Sequence, residues 1–268
     1  RLHAQRALER SRRLTDVILA NSARFVGLRV EEVDEAIRSA LGEIGSFLDV
    51  DRVQLFDVAG GARTFHLMHE WCAPGIPHRI DELRDASGSE FPWLWPQIVT
   101  AGLAQASDVT ALPPEADVER RMLIAQGVRS FICVAVHRRG QAVGFLGIDV
   151  FKDRRAWPDD EVALLRIMAD VLSNALARKK SEEAIRESEQ RFVKAFQNSP
   201  APMAISRAQD EQVVDVNEAF VRFFGLRRDE IVGRTMQDVG CFASPNDVAT
   251  IRSFLAQGLP LRDFEARL

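Results

Sequence analysis

The sequence predicts class α+β: an antiparallel sheet flanked by helices, then a long helix that leads into a second, smaller unit. Three observations carry this. Residues 130–137 and 141–151 are apolar at nearly every position and meet at Arg139-Gly140, as two central strands covered on both faces do. Around them, helical and strand patterns follow in the order helix, helix, hairpin, helix, strand, helix, hairpin, long helix, which gives an antiparallel sheet with helices packed on it. From Pro158 through Glu189, finally, a helical pattern runs with no Gly or Pro after its first residue, starting at Pro158-Asp159-Asp160-Glu161, where Pro and carboxylates suit the first turn.

Bulk properties bound the rest. The 268 residues suffice for one large or two ordinary domains, and 46% hydrophobic with 28% charged residues is a globular composition. The net charge of −4 opposes a nucleic-acid partner, and the run Arg6, Arg10, Arg12, Arg13 reads as a solvated helix face. No apolar run approaches the roughly 20 residues that a membrane span needs, and there is no signal peptide. Cys72, Cys133 and Cys241 fit no metal spacing and read as reduced thiols, so a cytoplasmic location is expected and no metal ligand is nominated. The chain begins at Arg1 and stops in what reads as mid-strand, so a longer protein is expected.

Taken in order, residues 2–27 are helical, with Leu14, Ile18, Asn21, Phe25 and Leu28 on a narrow seam suited to another helix. A second helix carries Val33, Ile37, Leu41, Ile44 and Leu48 on one face behind an acidic first turn. Val53 and Leu55 open a strand, Gly60-Gly61 turns, and residues 64–71 return as its hairpin partner. Residues 72–88, with Pro74-Gly75 and Pro77, form an irregular loop long enough to serve function. A short helix follows Phe91-Pro92-Trp93, then a brief strand near residues 104–107 and a helix over 115–126 that Gly127 stops. Gly144 and Gly147 in the last strand leave room for a close approach. In the long helix, Val162, Leu165, Ala169, Leu172 and Leu176 recur at heptad spacing, with Leu164, Ile167, Met168, Val171 and Ala175 beside them. An apolar surface on two sides calls for two partners, the domain's own core and a second helix.

Gly127-Val128-Arg129-Ser130, Gly144-Phe145-Leu146-Gly147 and Trp157-Pro158-Asp159-Asp160-Glu161 resemble a GAF domain. His69-Glu70-Trp71 and Phe91-Pro92-Trp93 are similar to segments in the GAF domains of bacterial multi-domain sensors. Further on, Ser188-Glu189-Gln190-Arg191-Phe192, Asn198-Ser199-Pro200, Asn217-Glu218-Ala219-Phe220 and residues 228–234 resemble the first part of a PAS domain, with strands at 203–206, 213–216 and 261–268. The expected organisation is an N-terminal dimerisation helix (1–27), the GAF domain (28–178), a helical linker (179–190) and part of a PAS domain (191–268).

The resemblance implies a sensory module without catalysis of its own, relaying to a histidine kinase or a cyclic-di-GMP cyclase or phosphodiesterase outside this chain. The expected partners are a second copy, through Leu14, Ile18, Phe25, Leu165, Leu172 and Leu176, and a small-molecule ligand at His69, Trp71, Cys72 and Trp93. No cofactor is nominated. A covalent bilin is disfavoured because Ala73, not His, follows Cys72. Haem would need a His on the helix over 245–257, and a flavin adduct would need Cys where Met236 stands. Lys152 and Asp160 match an ion pair of cyclic-nucleotide GAF domains, but Phe151 replaces that motif's Asn. The enzymatic alternative, a reductase of free methionine sulfoxide using Cys72, lacks a resolving thiol because Cys133 falls inside a buried strand.

Overall fold

The computed structural model describes residues 16, 19–20, 23–59, 64–83, 86–241 and 244–257. Its contacts divide the chain between Glu183 and Ala184 into two units. In the first, β1 (Arg52–Ala59), β2 (Thr64–Cys72), β3 (Ala86–Ser87), β4 (Leu103–Ala106), β5 (Ser130–Arg138) and β6 (Gln141–Val150) form one sheet in the order β3-β2-β1-β6-β5-β4. Every pairing is antiparallel. The longer helices are α1 (Val33–Leu48), α2 (Asp117–Ala125) and α3 (Asp159–Asn198). Arg139 (φ 53°) and Gly140 (φ 78°) are both left-handed, as a two-residue hairpin turn between right-twisted strands requires.

Alternation along β1 sorts the domain into two cores. Val53 and Leu55 point to one face, where α1 and the first half of α3 cover Ile132, Val134, Leu146 and Ile148. Phe56 points to the other, and there the segment from Phe91 to Leu123 packs on Phe65, Leu67, Phe131 and Phe145. A period of two in the strand thus gives one helical face and one face covered mainly by loops and short turns.

One residue decides what each face carries. Phe56 pairs with Leu67 but Leu55 pairs with His69, so Met68 is an extra residue in β2. A one-residue bulge reverses the parity of everything after it. Strict alternation would line up Phe65, Leu67, His69 and Trp71. Instead His69 and Trp71 turn to the helical face, while Glu70 and Cys72 join Phe65 and Leu67.

The long helix is also less two-sided than its heptads imply. Leu164, Leu165, Met168, Ala169, Leu172, Ala175 and Leu176 all lie in the domain's own core, as does Phe25. The broad stripe that a sheet demands of a packed helix takes up both sequence strips. Leu165, Leu172 and Leu176 are therefore core residues of this chain, and Ile167, at 43% exposure, is the large apolar residue they leave outside. Leu14, Ile18 and Asn21 lie outside the described residues. Beyond Lys179 every residue of α3 up to Ala195 is exposed, Ile185, Phe192 and Val193 included.

In the second unit, β7 (Ala204–Ser206) pairs with β8 (Val213–Val216), followed by α4 (Glu218–Phe224), α5 (Arg228–Ile231) and α6 (Pro245–Ala256). Val213, Val216, Phe220, Ile231 and Cys241 form its core. The strand expected at residues 261–268 lies outside the described residues.

Candidate functional site

The site lies on the face away from α1 and α3. Phe56 stacks on Phe145 with centroids 4.3 Å apart, and Phe65 stacks on Trp95 at 5.0 Å. Trp95 reaches that position because Gly88 has no side chain: a Cβ there would lie 2.4 Å from the indole nitrogen. The rings, with Phe91, Leu94, Ile98, Leu123 and Phe131, enclose a cavity of about 70 Å³. That holds water-sized molecules, whereas organic ligands occupy about 300–1,000 Å³. A larger ligand enters only if the ring stack opens.

One end of the cavity is polar. Gln54, Arg79, Gln126 and Asp149 line it, beside Gly147 and Cys133. Arg52, itself 2% exposed, donates through Nε and Nη2 to one oxygen of Asp149 at 2.8 and 2.6 Å, and its guanidinium lies over the Phe151 ring. Burial raises the Asp149 pKa and the nearby Arg52 charge opposes that rise. Gln54 Nε2 donates to Glu70 Oε1 at 2.9 Å. Gln126 Oε1 is buried without a hydrogen-bond partner among the described residues, so a donor on a ligand would satisfy it. Gly147 opens this space: its Cβ position lies 3.4 Å from Phe56 and 3.7 Å from Cys133 Sγ. Gly144 serves the fold instead, because a Cβ there would meet the Phe56 carbonyl at 2.7 Å and Ser173 of α3 at 3.3 Å.

The four ligand candidates from the sequence do not come together. His69 is buried on the helical face with Nε2 3.4 Å from Asp34 of α1, without hydrogen-bond geometry. Burial lowers its pKa more than Asp34 raises it. Trp71 lies against Gly42 and Gly45 and borders an open groove on the same face with Asp16, Ala20 and Glu43. Trp93 packs against the aromatic core, its backbone N–H donating to Glu119 at 2.7 Å. Cys72 lies outside the cavity lining, on the same sheet face, where burial and the Glu70 charge push its thiol up to about 12. Burial also pushes Cys133 up. Lys152 pairs with Asp51 at 3.2 Å, and Glu161 with Arg155 at 2.6 Å.

Sequence reasoning missed Gln54, Arg79, Gln126, Asp149 and three of the stacked rings, Phe56, Phe65 and Phe145; Trp95, with Phe91, belongs to the aromatic cluster that the sequence offers around the 72–88 loop. The signal was in β1: Arg52 and Gln54 alternate with Val53 and Leu55, so one face of a buried strand carries polar groups that need partners.

Comparison with known proteins places this geometry. A GAF domain family profile matches residues 32–176, and a PAS domain profile matches residues 190–259. No protein of curated function matches the chain in sequence. Among solved structures, the chain is similar to the chromophore-binding domain of a bacteriophytochrome from R. palustris, with 13% identity and a TM-score of 0.52. That match covers 65% of this chain and 63% of the other, so less than two thirds of that fragment's length is spanned. The phycocyanobilin-bound GAF domain of a cyanobacterial phytochrome aligns with 18% identity and a TM-score of 0.51, over 63% of this chain and 96% of that one. At these identities the likeness is one of fold.

Proposed function

The chain belongs to the GAF domain family and carries a PAS domain after it, and from this we propose that it is the sensory region of a bacterial signalling protein. With its ring stack opened, the GAF cavity takes a small, largely planar molecule that offers a hydrogen-bond donor to Gln126. The domain then relays its state along α3 to the PAS domain and an output outside this chain, a histidine kinase or a cyclic-di-GMP cyclase or phosphodiesterase. One observation carries the reading. A single 40-residue helix begins in the core of the GAF sheet and ends beyond the start of the PAS match.

Relay through such a helix works best in a dimer, where rotation or shear between two copies changes the output. Ile185 and Phe192 are seven residues apart, both exposed, and suit a parallel helical seam. In the full-length protein, one residue inserted between Lys180 and Ala184 rotates everything downstream by about 100°, while seven residues restore the phase to within about 20°. The reading expects the first insertion to change output sharply and the second to preserve it. Equal output from both would make the helix a tether only.

A bilin is the second reading, since one structural neighbour is a chromophore-binding domain and another holds phycocyanobilin. A bilin would require the Phe65–Trp95 stack to swing out. Incubation with biliverdin and with phycocyanobilin distinguishes the readings: a new visible absorption band that co-purifies with the chain favours the bilin. The reductase alternative draws no support, because burial keeps Cys72 and Cys133 protonated rather than nucleophilic.

A further inference from the structure

We infer that Glu70, Cys72 and His78 form a binding site for a zinc-class divalent cation, which ties the 73–79 loop to β2 beside the polar end of the cavity. One ligand atom from each residue lies within 4.8 Å of the others, the one such group among the described residues. The loop is built to bring them together. Ala73 N–H donates to the Asp51 carbonyl at 2.8 Å, and Ile76 N–H to the Ala73 carbonyl at 3.0 Å. Between them Pro74 and a left-handed Gly75 (φ 88°) make the tight turn that Pro-Gly favours. The chain then doubles back. The Pro77 carbonyl reaches 3.7 Å from Cys72 Sγ, and His78 Nδ1 sits 3.1 Å from Glu70 Oε2.

The donor set selects the ion. Calcium and magnesium require cages of oxygen, whereas zinc accepts thiolate, imidazole and carboxylate in tetrahedral array, with a fourth position left to water. Tetrahedral bonds of about 2.0–2.3 Å place ligand atoms about 3.3–3.8 Å apart, against 3.1 Å for the His78–Glu70 pair and at most 4.8 Å for the group. His78, 67% exposed, is free to rotate toward the ion. Glu70 is fixed from behind: Gln54 Nε2 donates to Oε1, and the Arg79 N–H donates to Oε2 at 2.9 Å. Such outer partners orient a ligand and hold its charge. On binding, the Cys72 S–H bond breaks, an S–metal bond forms, and one proton passes to solvent for each ion. Arg79, at the end of the loop, and Leu83 beyond it line the cavity, so occupancy stiffens its rim. The site stands whether or not the cavity binds an organic ligand.

Cobalt(II) titration of the full chain tests this, because a Co–thiolate bond gives a charge-transfer band in the near ultraviolet. The expected result is one cobalt per chain with that band, displacement by zinc, and slower amide exchange across residues 73–83. Cys72→Ser abolishes the band, His78→Ala weakens affinity by roughly tenfold or more, and Cys241→Ser changes nothing. Circular dichroism checks that each variant is folded, and exposed His78 supplies the readout if Cys72→Ser is not. The proposal is overturned if the wild-type chain shows no band, if the band survives Cys72→Ser, or if His78→Ala binds as tightly as wild type.

Discussion

Asn217 Nδ2 donates to the carbonyl of Phe196 at 3.0 Å, joining the last turns of α3 to the N-cap of α4. The same amide donates to the Ala201 carbonyl, and its oxygen accepts from the N–H groups of Met203 and Phe220, all within 3.0 Å. A fully buried side chain with four bonds is a joint, and movement of α3 at Phe196 reaches β7 and α4 through it.

Asn217→Ala removes a cap and leaves buried backbone groups unpaired. The second unit should lose about 2–4 kcal/mol, more than a cap alone contributes. Denaturant unfolding followed with a probe in residues 190–257 measures it, and Asn217→Asp should recover the cap but not the bonds to Phe196 and Ala201.

Gly45 and Trp71 give a second test. Ala normally stabilises a helix by about 1 kcal/mol relative to Gly. Here a Cβ at Gly45 would fall 2.2–2.8 Å from the Trp71 ring. Gly45→Ala should therefore destabilise by about 1–3 kcal/mol, and Trp71→Leu should relieve most of that. Additive losses in thermal unfolding would show that the indole moves aside freely.

His69 sets a pH dependence. Its folded pKa is lowered, chiefly by burial, against the attraction of Asp34 and with repulsion from Arg38 and Lys179. Below the unfolded pKa of about 6.5 the unfolded chain therefore binds more protons, and stability falls as pH drops toward the folded value. His69→Gln should lose less stability than wild type between pH 7.5 and 5.5. Equal losses in the two proteins would place the pH dependence elsewhere.

Core and seam separate on α3. Leu172→Ala should cost about 2–5 kcal/mol of domain stability, because the side chain is wholly buried in one chain. Phe192→Glu should leave that stability unchanged and lower the self-association seen by light scattering. A wild-type chain that stays monomeric at high micromolar concentration would remove the seam.

The fold was legible because its signals are periodic. The apolar 130–151 hairpin, the amphipathic α1 and the unbroken α3 each repeat over ten or more residues, and the GAF and PAS resemblances matched the profiles. The site was not legible, because it hangs on one bulged residue. Met68 looks like an ordinary alternating position, yet it moves His69 and Trp71 to the helices and puts Glu70 and Cys72 on the sheet face that carries the cavity. Register defects of that kind are fixed by pairing with β1, which no local pattern reports. Heptads misled on α3 for a related reason: a stripe wide enough for a sheet contains a coiled-coil seam within it.

The central claim is that the aromatic cavity and α3 are coupled through the sheet. Phe56 and Phe145 line the cavity, while their neighbours Leu55 and Leu146 pack in the core with Leu165 and Leu172. Trp95→Gly would open a space shaped for indole at a cost of about 3–5 kcal/mol, and added indole would refill it. Hydrogen exchange of this variant with and without indole is the direct measurement. The account predicts changed protection around Phe56 and Phe145 and also along residues 177–195, whose exposed amides open locally rather than by global unfolding. Protection that changes only in the domain that binds indole, with residues 177–195 unaltered, would contradict it.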